Sequence, residues 1–324
     1  MHHASPPSSP GTRSTRDIIF SNITPGNDKG TELRKIVVFD MDETLGIFSD
    51  LGEFMHILDT IIAKRMRRVA TQSSPPINVY DYFNELLDIY PELLRPRILD
   101  IMRFLARMKR AGKCSNVMIY TNNSGPISWS HHIKDYFNKK AGYIGPQWPG
   151  GLFDKVIGAF KRPNGERVEI GRTTHDKTYN DFVRCTNMAG RIEVFFIDDR
   201  EHPGMHAENV YVINVKPYTR ELSMRDFIRR FKRSTLFQTL RFTNSEIDDY
   251  YYTPPDVGKK PSAAYSEAEY EVDKMVGATI LEKLHDFFDI PVKPPPLRGV
   301  KPAASARKRF DRRGGSATRR AFKT

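Results

Sequence analysis

The feature that most constrains the fold is an apolar run, Ile36 to Phe39, that ends abruptly in acidic residues. Asp40, Asp42 and Glu43 follow it within four positions. A short, continuous run of this kind is typical of a buried strand. Close carboxylates repel one another unless a cation or a proton lies among them. The acids therefore form either a surface turn or a metal-dependent site for phosphoryl transfer, and the rest of the chain decides between the two.

Two further apolar runs end in polar clusters in the same way. One leads into Thr121 and Asn122, and the other leads into Asp198 and Asp199. Helical patterns separate the runs, which predicts an α/β fold with a doubly wound, mainly parallel, Rossmann-like sheet. Ligands bind beyond the carboxyl ends of the strands in such sheets, so we expect the three clusters at one edge. Lys177, at a predicted helix start, adds a cation there.

Spacing and composition also predict how the chain is divided. Apolar residues at steps of three and four predict a helical insertion over residues 46–94, directly after the first strand. Strand-like stretches around Pro163-Asn164-Gly165 predict a small β-hairpin insert over residues 151–171. The predicted segments are a disordered N-terminal stretch (1–33), a catalytic domain (34–236), a linker (237–263), a C-terminal helix (264–290) and a basic disordered tail (291–324).

Most of the positive charge lies in the tail. The net charge is +12, and residues 297–324 contain ten Lys and Arg against one acid. The folded part is therefore nearly neutral, so the net charge is no evidence for a nucleic-acid-binding domain. The tail itself is either a segment that binds nucleic acid or another acidic partner, or a solvated basic run.

The cysteines, the histidines and the hydropathy pattern limit the possible compartments and metal sites. Cys114 and Cys185 are too few for a disulfide framework, so we interpret them as small buried groups in a reducing compartment, the cytosol or the nucleus. No apolar run approaches the ~20 residues of a membrane span and no secretory signal is found, so we expect no membrane contact. The histidines, His202 among them, lack the spacing of metal ligands, and we interpret them as surface or packed residues.

The three polar clusters together suit phosphoryl transfer. Neighbouring carboxylates make an oxygen-rich site for Mg²⁺. A metal ion and a lysine neutralise a phosphate monoester enough for a carboxylate to attack it. The attack gives an aspartyl-phosphate and divides hydrolysis into two displacements. A second acid two residues along the chain supplies general acid and base catalysis, typically ~10²–10⁴-fold in rate.

In chain order, DMDET at 40–44, MIYTNN at 118–123, Lys177 and FFIDD at 195–199 resemble the four motifs of the haloacid dehalogenase (HAD) superfamily. The resemblance covers residues 35–235. It implies that Asp40 is the nucleophile and a metal ligand, and that Asp42 is the general acid and base whose backbone carbonyl meets Mg²⁺. It also implies that Thr44, which braces the loop, binds substrate together with Thr121, Asn122 and Lys177. Asp199 is implied as a metal ligand. Asp198 is implied either as a metal ligand or as the residue that orients Lys177.

Within the superfamily, DETL at 42–45, IDDR at 197–200 and the Arg-Pro helix that starts at Arg95 resemble the FCP/SCP-type (NLI-interacting-factor-like) branch. That branch acts on phosphoserine and phosphothreonine in the polymerase C-terminal domain and in other proteins. YTNNSG at 120–125 differs from the usual second motif of the branch, and the insertion at 46–94 lies where other superfamily members place a helical cap.

The leading hypothesis is a Mg²⁺-dependent phosphatase that acts on a phosphoprotein or phosphopeptide. One alternative is a nucleic-acid 3′-phosphatase or nucleotidase of the same superfamily, with the tail holding the polyanion. The other is a non-catalytic scaffold with a HAD-type fold. A scaffold has no physical need for clustered acids, which favours an enzyme.

Overall fold

Five parallel strands form the central sheet. The computed structural model describes residues 33–68, 77–143, 150–188, 190–251 and 265–289. The strands are β1 (Arg34–Phe39), β2 (Asn116–Tyr120), β3 (Lys155–Ile157), β4 (Ile192–Asp198) and β5 (Val210–Asn214). Their order is β3-β2-β1-β4-β5, and every neighbouring pair is parallel. The chain builds outward from β1 on both sides, which makes a switch point between β1 and β4.

Nine α-helices are found in the described residues. They alternate with the strands over the first part of the chain and follow one another after β5. Their bounds are α1 (Ser49–Arg68), α2 (Phe83–Ile89), α3 (Ile98–Arg110), α4 (Ile127–Lys140), α5 (Tyr179–Thr186), α6 (Met224–Lys232), α7 (Thr235–Thr239), α8 (Asn244–Tyr251) and α9 (Glu267–Asp289).

The sheet is buried on both faces. Side chains alternate between the faces along a strand, so Val37 and Phe39 belong to one core cluster and Ile36 and Val38 to the other. Helix α5 packs on the second cluster through Phe182, whereas the other helices contribute to the first, larger one. Strands that are covered on both faces carry apolar side chains at successive positions, so they appear in the sequence as continuous apolar runs. The predicted doubly wound α/β fold is confirmed.

The predicted helical insertion after β1 is also confirmed, and it extends the larger core. Helix α1 buries an apolar stripe, and the ring of Phe54 lies 5.4–6.2 Å from the rings of Tyr90, Phe227 and Phe231. Helix α2 ends just before Pro91, which lacks the N–H that a continued helix would need. The insertion is therefore held against helix α6 by aromatic packing.

The predicted hairpin insert is shorter than expected. Residues 155–157, which lie inside the predicted insert at 151–171, form β3 and pair with β2 instead. The hairpin proper consists of an antiparallel bridge between Lys161 and Arg167 and of backbone hydrogen bonds that join residues 159–162 to residues 166–169. Three residues of strand beside a turn carry too little pattern to separate a sheet strand from a hairpin arm.

Part of the predicted linker is helical. Helices α7 and α8 lie mostly within residues 237–251, and Leu240, Phe242 and Ile247 from this stretch are buried. The predicted C-terminal helix corresponds to α9. The predicted disordered N-terminal stretch up to residue 32, the linker residues 252–264 and the basic tail lie outside the described residues. None of the described helices is long and apolar enough to cross a membrane.

Candidate active site

Three aspartates come together at the switch point of the sheet. Asp40 directly follows β1, and Asp198 and Asp199 lie at the end of β4. The backbone N–H of Asp40 donates to the carbonyl of Ile197 at 2.8 Å, so the pairing of β1 with β4 brings the acids together. One carboxylate oxygen from each aspartate lies within 4.8 Å of the other two. Three hard oxygen ligands at this spacing make a candidate site for a divalent cation such as Mg²⁺.

Lys177 lies buried between two of these aspartates. Its Nζ donates to Oδ1 of Asp40 and, at 2.7 Å, to Oδ2 of Asp198. The lysine stands immediately before Thr178, whose hydroxyl caps helix α5 by accepting from the N–H of Asp181. The capped start of α5 therefore fixes the position of the Lys177 backbone. One cation among three acids leaves the cluster negative, which favours the binding of a further cation.

Burial and charge move the pKa values of these acids in opposite directions. Burial raises the pKa of Asp40 to about 7, against the opposing charge of Lys177. Burial also acts on Asp198, but its hydrogen bond with His202 and the charge of Lys177 outweigh it, and the pKa of Asp198 is lowered. Asp198 is therefore a permanent anion at neutral pH, whereas Asp40 binds a proton readily unless a cation stabilises its ionised form.

Both carboxylate oxygens of Asp198 have protein partners. Oδ2 accepts from Lys177 and lies 3.3 Å from Nε2 of His202, and Oδ1 accepts from the N–H of Arg200 at 2.9 Å. These contacts fit the orientation of Lys177, and the place of Asp198 in the acidic triad fits metal ligation, so both roles that the sequence left open for Asp198 stay predictions.

The loop after β1 is braced from two sides. The hydroxyl of Thr44 donates to Oδ1 of Asp199 at 3.1 Å and accepts from the Asp199 N–H at 3.1 Å. From behind, the buried Arg95 donates to the carbonyls of Glu43 and Thr44, both at 2.6 Å, and to that of Lys216 at 2.8 Å. The strand ends and the loop that carries Asp40 are thus fixed relative to each other.

Asp42 lies outside the acidic triad, and Asn123 holds its carboxylate. The side-chain amide of Asn123 donates to Oδ2 of Asp42 at 2.9 Å, and the Asn123 backbone N–H donates to Oγ1 of Thr121 at 2.9 Å. Burial raises the pKa of Asp42, and the hydrogen bond from Asn123 opposes this rise. A carboxyl group with a raised pKa suits general acid and base chemistry. Its expected role as a metal ligand through the backbone carbonyl stays a prediction.

One cleft collects all the predicted site residues except Thr44, which instead contacts Asp199. The cleft has a volume of about 220 Å³. None of the described residues between 46 and 94 lines it. The lining residues are Asp40, Asp42, Glu43, Thr121, Asn122, Asn123, Lys177, Asp198, Asp199, Arg200 and His202.

Four of these residues received no role in the site from the sequence: Glu43, Asn123, Arg200 and His202. His202 is buried, as its interpretation as a packed residue predicts, and its ring lies 6.2 Å from that of Phe196. The interpretation missed the contact between His202 and Asp198. The available signal was position: His202 follows Asp198 by four residues, immediately after a strand that ends in acids. For Asn123, the signal was its place in the polar cluster after β2.

Comparison with known proteins adds no relative. No protein-family model, no curated protein and no solved structure matches this chain. The interpretation of the cleft therefore depends on its own geometry and chemistry.

Proposed function

We propose that this protein is a Mg²⁺-dependent phosphomonoester hydrolase of the HAD type. The observation that carries the proposal is that Asp40, Asp198, Asp199 and Lys177 meet at the switch point of a parallel sheet. The three carboxylates offer the oxygen ligands that Mg²⁺ prefers, and the lysine supplies a fixed positive charge beside the same atoms. Asp42 and Thr121 line the same cleft and provide a proton-transfer group and a hydroxyl.

In the proposed reaction, a carboxylate oxygen of Asp40 attacks phosphorus, and the bond to the leaving oxygen breaks while Asp42 gives that oxygen a proton. Water then attacks the aspartyl-phosphate and gives a proton to Asp42, the phosphorus bond to Asp40 breaks, and inorganic phosphate leaves. Lys177 and Thr121 hold the phosphoryl oxygens. Mg²⁺ bound to the acidic triad would neutralise charge on the phosphoryl group.

The size of the cleft supports a macromolecular substrate. Pockets that enclose a drug-sized molecule have volumes of roughly 300–1,000 Å³, and this cleft has about 220 Å³. It therefore encloses a phosphoryl group and the atoms next to it, with the rest of the substrate outside. Because no described residue of the insertion lines the cleft, a phosphorylated side chain can enter it from a protein surface. We infer that the substrate is a phosphoserine or phosphothreonine protein.

The first experiment measures hydrolysis of p-nitrophenyl phosphate in Mg²⁺ and in EDTA. We expect activity only with Mg²⁺, and we expect Asp40→Asn and Lys177→Met to abolish it. Asp248→Asn is the matched control, since it removes an acid from the ion pair with Lys232 and does not line the cleft. Activity that survives Asp40→Asn would contradict the aspartyl-phosphate mechanism.

A second experiment compares substrates at equal concentration. We expect a phosphoserine peptide to have a higher kcat/KM than a nucleoside monophosphate or a sugar phosphate. A 3′-phosphorylated oligonucleotide that exceeds the peptide would favour the nucleic-acid phosphatase. Absence of turnover with every one of these compounds in Mg²⁺ would favour the scaffold.

A further inference from the structure

A fully buried arginine lies directly beneath the candidate active site. Arg172 is 0% exposed, and its guanidinium group donates to four backbone carbonyls. One terminal nitrogen donates to Thr121 at 3.1 Å and to Gly158 at 3.0 Å. The other donates to His175 at 2.8 Å and to Asp176 at 3.2 Å.

These carbonyls belong to the segments that carry the site. Thr121 lines the cleft, and His175 and Asp176 immediately precede Lys177. Gly158 follows β3 directly, so the same side chain also reaches the edge of the sheet. A single guanidinium group therefore joins the loop after β2 to the loop that delivers the lysine.

The loop before Lys177 has little regular structure of its own. Its geometry depends on side-chain contacts: Thr173 is bound to Asp181 through its N–H at 3.0 Å and its hydroxyl at 2.9 Å, and the Asp176 N–H donates to Thr174 Oγ1 at 2.8 Å. These bonds hold the loop to α5 or to itself. Among the described contacts of this loop, those of Arg172 are the ones that reach the Thr121 backbone.

The aromatic ring of Tyr120 completes the arrangement. Its centroid lies 4.9 Å from the guanidinium carbon of Arg172 and 5.8 Å from Nζ of Lys177. Its hydroxyl accepts from the N–H of Thr178 at 3.3 Å. Arg172 thus stacks on a residue that also contacts the lysine and the first residue after it.

We propose that Arg172 is a positioning residue that sets the distance between Thr121 and Lys177. The expected effect of Arg172 on catalysis rests on the proposed function, whereas the contacts that Arg172 makes do not. A buried cation is expensive to desolvate, so neutral residues would be preferred if the site needed only filled space. The planar fork of arginine donates in several fixed directions at once, which the point charge of lysine does not reproduce.

The test compares Arg172→Lys and Arg172→Gln with Arg184→Gln. Arg184 is the matched control because it donates to Gly171 and Thr173 of the same segment, yet its side chain is 51% exposed. With p-nitrophenyl phosphate and Mg²⁺, we expect both Arg172 variants to lose kcat by roughly 10²-fold, since small displacements of positioned groups have effects of that size. We expect KM to change less than kcat, and Arg184→Gln to retain the wild-type kcat.

Amide hydrogen exchange separates positioning from general stability and needs no activity. In the Arg172 variants, residues 121–125 and 173–178 should exchange faster, whereas β1 and β4 should keep their protection. Faster exchange throughout the sheet, or full kcat in both folded Arg172 variants, would overturn the proposal. If the wild-type protein does not hydrolyse the substrate, the proposed function fails while the exchange result still decides whether Arg172 holds the two loops.

A measurement on the wild-type protein covers the case in which neither variant folds. In protein labelled with [15N]arginine, the guanidinium protons of Arg172 should exchange with water much more slowly than those of Arg184, since Arg172 is 0% exposed and the Arg184 side chain is 51% exposed. Equal exchange rates would show that the four carbonyls do not hold the group and would overturn the proposal.

Discussion

Replacing Asp40, the nucleophile in the proposed mechanism, should make the metal-free protein more stable. Burial raises the pKa of Asp40 from 3.8 to about 7. An acid whose pKa is higher in the folded state contributes its stability below pH 4, and that stability is lost as the pH rises through 7. At pH 8 without metal, the wild-type protein therefore holds an unfavourable buried anion. Asp40→Asn keeps the shape of the side chain and removes this anion.

The magnitude follows from the pKa change. At 1.36 kcal/mol per pKa unit, the ionised Asp40 destabilises the folded state by ~4 kcal/mol at pH 8 and by less than ~2 kcal/mol at pH 5. The attraction between Asp40 and Lys177 is already contained in these values, because it is one of the causes of the shift. At about 2–4 °C per kcal/mol for a domain of this size, Asp40→Asn should raise the Tm at pH 8 by ~8–16 °C.

The assay is thermal and urea unfolding, followed by circular dichroism, of both proteins in EDTA at pH 5 and pH 8. Excess Mg²⁺ should stabilise the wild-type protein more than the variant at pH 8, because metal binding requires ionised ligands. Asp248→Asn, which alters an exposed ion pair, should change stability by less than ~1 kcal/mol at either pH. A variant that is no more stable than wild type at pH 8, or equally stabilised at both pH values, would refute the reasoning.

Two further changes test the proton-transfer group and the packing of the C-terminal helix. Asn123→Ala removes the hydrogen bond that lowers the pKa of Asp42. The limb of the pH–kcat profile that Asp42 controls should therefore move to higher pH. A profile unchanged in position would argue against Asp42 as the acid and base. Gly277→Ala should destabilise the protein by ~1–3 kcal/mol in urea unfolding, although alanine is the better helix former by ~1 kcal/mol, because the new Cβ would lie 2.3 Å from the Pro96 carbonyl oxygen. Equal or greater stability of Gly277→Ala would mean that α9 does not pack closely on the start of α3.

The candidate site was predictable because its parts lie at the ends of strands with strong signals. Three continuous apolar runs identified β1, β2 and β4, and the parallel arrangement then brought Asp40, Thr121 and Asp198 to one edge without any knowledge of the loops. Register did not have to be predicted separately. Each polar residue is the last of its strand or follows it directly, so pairing of the strands is enough to bring the groups together.

The supporting residues were not predictable in the same way. Arginine is usually exposed, so nothing in the sequence indicates that Arg95 and Arg172 are buried beneath backbone carbonyls. The sequence does contain a signal for the start of helix α8, a capping box formed by Thr243 and Glu246. The Thr243 N–H donates to Glu246 at 2.8 Å, and the Glu246 N–H donates to the Thr243 hydroxyl at 3.3 Å. The acidic, Pro-rich residues that follow made the whole stretch resemble a linker.

The path of the insertion explains how its described residues can follow Asp40 without lining the cleft. Gly46 and Leu94 form an antiparallel bridge, so the insertion leaves the domain and returns to it at one point. A side chain has no room at this base, since a Cβ on Gly46 would lie 2.4 Å from the Leu93 carbonyl oxygen. Arg95 then ties the base to the loop after Asp40 from behind. An amphipathic pattern shows that a helix buries one face but not which surface covers it. Here the aromatic residues of α6 pack against it, and among the described residues the cleft is lined by the strand ends and the loops that follow them.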